Sequence, residues 1–135
     1  MRQIVAVLGI AVVLAGVAAS AATADPDRVK LRIDGGQAQL DPPGTVHLEV
    51  SYDCPADNGT AQIFASVHQG ERLATTELFF DIPCTGKWET LVVGVGAPLP
   101  GVEVQLGPAD ARVTIRDELG RTEPVVASRK VRLVE

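Results

Sequence analysis

Two histidines are the side chains of this sequence best suited to bind a metal ion or to accept a proton. His47 and His68 each lie in a stretch where apolar and polar residues alternate, as in a β-strand with one buried face. If a hairpin joins the two stretches, the register that keeps their apolar faces together places His47 opposite His68 on the outer face. Two facing imidazoles, with Glu49 nearby, would bind Zn²⁺ or Cu²⁺ weakly. The pair is a weak metal candidate, and the alternative is two solvated histidines.

Nucleophilic catalysis has few candidate residues. The serines after residue 24 are Ser51, Ser66 and Ser128, and none is flanked by the glycines of a strained nucleophile elbow. The carboxylates fall in turns or on outward strand faces, where they lack the burial that general acid–base catalysis requires. We therefore predict that the protein is not an enzyme and uses no cofactor.

The N-terminus has the pattern of a secretory signal peptide. Arg2 is followed by an uncharged run, residues 3–24, that is apolar at first and ends in Ala22-Thr23-Ala24. This pattern predicts a signal-peptide helix over residues 1–24, cleaved after Ala24 or Ala21, and one secreted domain over residues 25–135. Val17 stands where a lipoprotein signal requires Cys, which favours release; an uncleaved membrane anchor is the alternative.

Export to an oxidising compartment decides how the two cysteines are interpreted. Cys54 and Cys84 are predicted to form a disulfide bond and not a redox or metal site; the alternative is two free thiols. In the chain-entropy model, closing a loop of about 30 residues supplies roughly 3 to 4 kcal/mol of stability. That is a large share of the stability of a small domain, which totals about 5 to 15 kcal/mol.

The elements that must position these residues are short β-strands separated by turns rich in Gly, Pro, Asn and Asp. Alternation is clearest over Val46–Cys54, Ala61–His68, Ala111–Arg116 and Lys130–Leu133. Weaker strands are predicted over Arg28–Ile33, Ala74–Phe80, Trp88–Val95 and Val102–Leu106. The predicted fold class is therefore all-β, an antiparallel sandwich or barrel, and we favour an immunoglobulin-like sandwich of about seven to nine strands with one disulfide.

Four apolar residues are candidates for a partner-facing surface. They are Phe64, Leu91, Val93 and Val95. Phe64 is turned outward by the alternation that buries its two neighbours, and the other three share one face of a strand whose opposite face is also apolar. Either that strand is covered on both sides, or one of its faces is an apolar patch for a partner.

Composition and charge restrict the partners. The 135-residue chain has a net charge of −5, and removal of residues 1–24 takes away one arginine, which leaves −6. Such an acidic balance argues against binding to nucleic acids or anionic membranes. We expect a monomer with no stable membrane span after cleavage, and with an unknown protein or cell-envelope component as its partner.

Four framework segments carry a family resemblance. They are Gly44-Thr45-Val46 leading to Cys54, Cys84-Thr85-Gly86-Lys87-Trp88, residues 107–113, and Val131-Arg132-Leu133. In these segments the chain resembles small secreted actinobacterial domains of uncharacterised function. The resemblance implies an immunoglobulin-like β-sandwich and carries over no catalytic residue. In that topology the strands of His47 and His68 belong to different sheets, which would separate the two histidines.

Two functional hypotheses follow from these observations. The first is a non-catalytic binding or cell-envelope interaction module. The second is a small secreted inhibitor or ligand-sequestering protein, which would act through the loop Pro98–Gly101, the segment Asp81–Thr85 or a cleft between the sheets.

Overall fold

The computed structural model describes residues 29–119 and 123–135, and within them the chain forms nine β-strands. The strands are β1 (Lys30–Ile33), β2 (Gln37–Asp41), β3 (Thr45–Asp53), β4 (Thr60–Gln69), β5 (Arg72–Thr75), β6 (Phe80–Pro83), β7 (Trp88–Val95), β8 (Gly107–Asp117) and β9 (Val125–Val134). A short 3-10 turn, Ala56–Asn58, connects β3 to β4. The predicted signal peptide lies outside the described residues. In the part that is described, no helix is long and apolar enough to cross a membrane.

The all-β prediction is confirmed, and the four segments with the clearest alternation are all strands. Two of the weaker predictions are wrong. The segment predicted as one strand from Ala74 is two strands, β5 and β6, because the chain turns between them at Glu77, whose φ is +70°. Residues 102–106 form no strand, whereas β2 was not predicted.

Hydrogen bonds divide the strands into two halves, and β2 pairs with a strand of each half. In the first half β3 is central, with β1 and β2 on one edge and β7 on the other. In the second half β8 lies between β9 and β4, and β4 pairs with β5 and β6 along its far edge. Strand β2 also pairs with β9, in parallel. The prediction of a purely antiparallel fold is therefore wrong, because β2 joins the halves into one mixed nine-stranded sheet.

Inward side chains from both halves form a single hydrophobic core. Because side chains alternate along a strand, every second residue of the central strands is buried. The largest of these residues are Val46, Leu48 and Val50 on β3, Ile63 and Val67 on β4, Val113 and Ile115 on β8, and Leu133 on β9, each at most 1% exposed. Removing this apolar surface from water is the main force that holds the two halves together.

The two halves are also linked at both ends. The predicted disulfide is confirmed: Cys54, directly after β3, is bonded to Cys84, directly after β6. At the opposite end of β3 and β7, Thr75 of β5 and Gly96 exchange two backbone hydrogen bonds of 2.8 and 3.1 Å. The first half is thus joined to the second by a covalent bond at one end and by a backbone bridge at the other.

Tyr52 packs close to the disulfide end of the core. Its side chain is 2% exposed, and its hydroxyl donates a hydrogen bond of 2.9 Å to the carbonyl oxygen of Pro83. Burial disfavours the tyrosinate anion and raises the pKa of Tyr52, and the negative charge of the neighbouring Glu89 adds to this shift.

The raised pKa of Tyr52 gives a measurable loss of stability in alkali. Because the folded pKa exceeds the unfolded value of about 10, the contribution of Tyr52 is complete below that pH and is lost as the pH rises through the folded pKa. Tyr52 is the only tyrosine, so tyrosinate absorbance reports it alone. We expect a higher titration midpoint in native than in urea-denatured protein, and the variant Tyr52→Phe should lack this part of the alkaline destabilisation. Equal midpoints would contradict the assignment.

Candidate binding face

Basic side chains are concentrated on two neighbouring strands. Five of the nine lysines and arginines within residues 29–119 and 123–135 lie on β8 and β9. Arg112, Arg116, Lys130 and Arg132 alternate with buried residues and point outward. Together with the outward residues of β4 they form one surface, which we call the cationic face. Its members are Gln62, Phe64, Ser66 and His68 on β4, Asp110, Arg112, Thr114 and Arg116 on β8, and Val126, Ser128, Lys130 and Arg132 on β9.

One end of the cationic face is an aromatic and guanidinium cluster. The ring of Phe64 lies 5.3 Å from that of Phe79, centroid to centroid, and the guanidinium carbon of Arg116 lies 3.6 Å from the Phe79 centroid. Arg116 also donates a hydrogen bond of 3.0 Å to the side chain of Gln62, which in turn donates one of 3.2 Å to Asp81. These contacts hold Arg116 in a fixed position while leaving it exposed.

The other end of the cationic face is a shallow, charged depression. Lys130 lies 3.3 Å from Asp110, measured from Nζ to Oδ1, and His68 lies opposite Asp110 in the register of β4 and β8. An open cavity of about 420 Å³ lies between these side chains and Arg112. Since both charged partners of the Lys130–Asp110 pair are exposed, the pair contributes little to stability and its charges remain available to a ligand.

The charge of this surface is opposite to that of the whole chain. On β4, β8 and β9 the outward side chains include four cations and a single carboxylate, Asp110. Asp81 on β6 adds a second carboxylate at the margin of the face. The chain as a whole has a net charge of −5. Between the two charged ends, Phe64 and Val126 flank Thr114 and offer apolar contact. The face therefore combines a local positive potential with an apolar centre.

The two histidines are not brought together. The hairpin on which the histidine pair depended does not form, because β3 pairs with β1, β2 and β7, and β4 pairs with β5, β6 and β8. His47 Nε2 lies 2.8 Å from Asp41 Oδ2, whereas the nearest side-chain partner of His68 is Ser66, at 3.3 Å. Among the described residues, no group of three or more His, Cys, Asp and Glu side chains could hold a metal ion.

Of the four predicted partner-facing residues, only Phe64 lies on an outer surface. Val93 and Val95 are 2% and 0% exposed, so their prediction as surface residues is wrong: they face the core. Leu91 lies on the same inward side and is half-buried. The outward side of β7 instead carries Trp88 and Val92, which are 44% and 63% exposed.

A polar cluster covers the outer side of the first half. The Ser51 side chain is 1% exposed; its hydroxyl donates to an oxygen of Asp34 and lies 2.9 Å from the hydroxyl of Thr90. Arg32 pairs with Asp34 at 2.9 Å, and its guanidinium lies 4.7 Å from the centroid of the Trp88 ring. These partners satisfy the hydrogen-bonding capacity of the buried hydroxyl, and neither histidine is among them.

A groove lies at the end of the molecule that is remote from the disulfide. It consists of two cavities, of about 840 and 360 Å³, which share Pro43, Gly44 and Glu103. Gly44 has a φ of +138°, and a Cβ atom built on it would lie 3.0 Å from Cβ of Glu103, so only glycine fits at this close approach. The loop that begins at Pro98, which the sequence predicted as a possible ligand contact, forms one wall of the smaller cavity.

Sequence reasoning did not identify the cationic face as a site. Alternation alone indicates that Arg112 and Arg116 share one side of a strand, as do Lys130 and Arg132. Alternation does not indicate that these two strands lie beside each other and beside the strand of Phe64, because that depends on long-range pairing. A search for like charges at alternate positions of successive strands would have found this signal.

Comparison with known proteins assigns the chain to no family. No family model matches the sequence, and no curated protein matches it significantly. The function is therefore inferred from the surfaces described above.

Proposed function

We propose that the protein is a secreted, non-catalytic binding module with an immunoglobulin-like β-sandwich fold, and that its cationic face binds an acidic protein outside the cell or in the envelope. The observation that carries this proposal is the set of four outward cations on β8 and β9 of a chain whose net charge is −5. Charge segregation of this kind steers an oppositely charged partner toward one face.

The strand order supports the immunoglobulin-like assignment. Strand β3 with its neighbours β1 and β7 forms one hydrogen-bonded group, and β9, β8 and β4 form the other. Their inward residues share one core, as in a sandwich of two packed sheets. The disulfide differs from the inter-sheet bond of antibody domains, because it joins the ends of β3 and β6 and not two facing central strands.

Secretion is supported by the disulfide and by the N-terminal sequence pattern. The Cys54–Cys84 bond is of the kind that persists in oxidising compartments. Residues 1–24 have the charged start, apolar run and small-residue end of a signal peptide.

An acidic protein fits the face better than a nucleic acid. A nucleic acid carries a dense charge along its length and would be repelled by the acidic remainder of the chain. A compact protein partner would contact only the cationic face, where Phe64, its neighbour Phe79 and Val126 add apolar contact to the charges. Apolar contact combined with arginine is the usual composition of protein–protein interfaces.

The proposal is tested by charge reversal at matched positions. The double variant Arg112→Glu/Arg132→Glu removes two cations from the face, and Lys30→Glu/Lys87→Glu makes the same change in net charge elsewhere on the surface. With poly-L-glutamate as the acidic probe, we expect salt-sensitive binding that the first variant weakens about tenfold or more and the second changes little. Isothermal titration calorimetry at two salt concentrations measures both effects.

Three outcomes of this experiment would count against the proposal. Equal weakening in both variants would show that only the net charge matters. If poly-L-glutamate does not bind even at low salt, the cationic face does not recognise an acidic polypeptide. Binding of heparin without binding of poly-L-glutamate would indicate an anionic polysaccharide instead.

The groove beside Pro43 and Glu103 favours a second candidate function, a ligand-sequestering or inhibitory protein. Its larger cavity, of about 840 Å³, lies within the size range of small-molecule sites. A ligand recovered from the secreted protein whose binding is unaffected by the Arg112→Glu/Arg132→Glu substitutions would support this second function over the first.

A further inference from the structure

Strand β7 forms an open edge of the sheet. Within residues 29–119 and 123–135 it pairs only with β3, over its whole length from Trp88 to Val95. The next backbone contact is the bridge between Thr75 and Gly96, which lies one residue beyond the strand. An eight-residue strand with one unpaired side is long for an exposed edge, and proteins usually shorten or cover such edges.

Two hydrogen-bonding patterns show which backbone groups of β7 point to the open side. Gly96 directs its N–H and C=O groups to Thr75, away from β3. Because these directions alternate along an antiparallel strand, Gly94, Val92, Thr90 and Trp88 also direct theirs away from β3. The hydrogen bond from the N–H of Asp34 to the C=O of Glu49 supports the same assignment, because it shows that the backbone groups of Glu49 point away from β7. Val92, the register partner of Glu49, therefore directs its own N–H and C=O groups away from β3. Four donors and four acceptors thus line the open edge.

The side chains of β7 leave this edge uncovered. Residues 90–95 carry no charge, and Val92 is 63% exposed. The Trp88 ring lies against Arg32 of β1, on the far side of β3, and so is turned away from the edge. Other edges are short or protected: β1 has only four residues and carries Lys30 and Arg32, β6 carries Asp81 and Pro83, and the outer side of β5 is hydrogen-bonded at Leu73 and Thr75.

We propose that two copies of the protein pair through β7, antiparallel and about a two-fold axis. One register uses the outward backbone groups of all four residues. It places Trp88 of one copy opposite Gly94 of the other and Thr90 opposite Val92, and the two-fold axis passes between the two Leu91 residues. In this register Glu89 lies opposite Val93, so no like charges face each other across the seam. An antiparallel strand pair is self-complementary, and the half-buried Leu91 of each copy covers that of the other.

The expected dimer is independent of the cationic face, which lies on β4, β8 and β9. It replaces the expectation of a monomer that the sequence suggested. Because the seam consists of backbone hydrogen bonds and of side chains that are neutral except for Glu89, its affinity should depend much less on salt than binding at the cationic face.

A proline at residue 92 tests the seam without disturbing the fold. The N–H of Val92 points away from β3, so Val92→Pro removes a donor that the chain itself does not use. We expect the protein as secreted to sediment as a dimer and Val92→Pro to raise the dimer dissociation constant roughly 30-fold, because two inter-copy bonds are lost. Val92→Ala is the matched control, since it keeps the N–H, and should remain close to the parent. Circular dichroism should be unchanged in both variants.

Cross-linking tests the register itself. Residues 90 and 92 form a hydrogen-bonded pair across the proposed seam, where Cα atoms lie about 5.5 Å apart, within disulfide range. An oxidised mixture of Thr90→Cys and Val92→Cys proteins should therefore form a covalent dimer much faster than either variant alone. A parent protein that is monomeric at all concentrations, a Val92→Pro variant that dimerises as the parent does, or equal cross-linking of Thr90→Cys alone would overturn the proposal.

Discussion

Reduction of the Cys54–Cys84 disulfide is expected to lower the melting temperature of the protein by roughly 12 to 24 °C. The bond closes a sequence separation of 30 residues, for which the loss of unfolded-state entropy corresponds to about 3 to 4 kcal/mol. In a domain of this size each kcal/mol moves the midpoint by about 4 to 6 °C. The bond ties together β3 and β6, two strands that have no hydrogen-bonded partner strand in common.

Thermal unfolding followed by circular dichroism, with and without dithiothreitol, measures this effect. The double variant Cys54→Ala/Cys84→Ala should melt close to the reduced protein, and dithiothreitol should not shift it further. A reduced protein that melts within about 3 °C of the oxidised one would contradict the expected contribution.

The variant Ile63→Ala should lose about 2 to 5 kcal/mol of unfolding free energy. Ile63 is 0% exposed on β4 and lies opposite Ile115 of β8, so truncation opens a cavity in the middle of the core. Neighbouring strands are held by hydrogen bonds and cannot collapse into the cavity. The loss of unfolding free energy should therefore exceed the free energy of transferring the deleted methyl and methylene groups from water to an apolar environment.

Urea denaturation resolves this loss when it is compared with two controls. Ile63→Val removes a single methylene group and should cost about 0.5 to 1.5 kcal/mol. Val126→Ala, at a residue that is 45% exposed, should stay within about 0.5 kcal/mol of the parent. Equal losses at Ile63 and Val126 would show that the core is not packed as described.

The predictable part of the fold is the part encoded by local alternation. Strands β3, β4, β8 and β9 show a period of two along their own sequence, and the structure places their inward residues in the core. Strand β2 has a weak pattern of its own and exists because β3 and β9 lie on either side of it. The pairing of β2 with these two strands, and its parallel direction relative to β9, cannot be predicted from a short stretch of sequence.

The histidine pair depended on a hairpin that the structure does not form. Asn58 is the last residue of the 3-10 turn Ala56–Asn58, and Gly59, with a φ of +73°, ends this turn and leads the chain from the first half to the second. His47 and His68 consequently lie on strands that do not pair. The outward position of Phe64 followed correctly from alternation, whereas its neighbours on the cationic face depend on long-range register.

Asp81 and Pro83 on β6 have a consequence for the size of any assembly. A strand with two open sides, or a sheet with two open long edges, can add copies without limit and so grow into fibres. In the described part of this chain, β6 is charged and ends in proline, and β1 is only four residues long and carries two cations, so β7 is the one long open edge. Once two β7 strands have paired, neither copy retains a long free edge, and growth stops at two. In the proposed dimer, the four residues of β6 would therefore work against further strand addition and favour a closed pair.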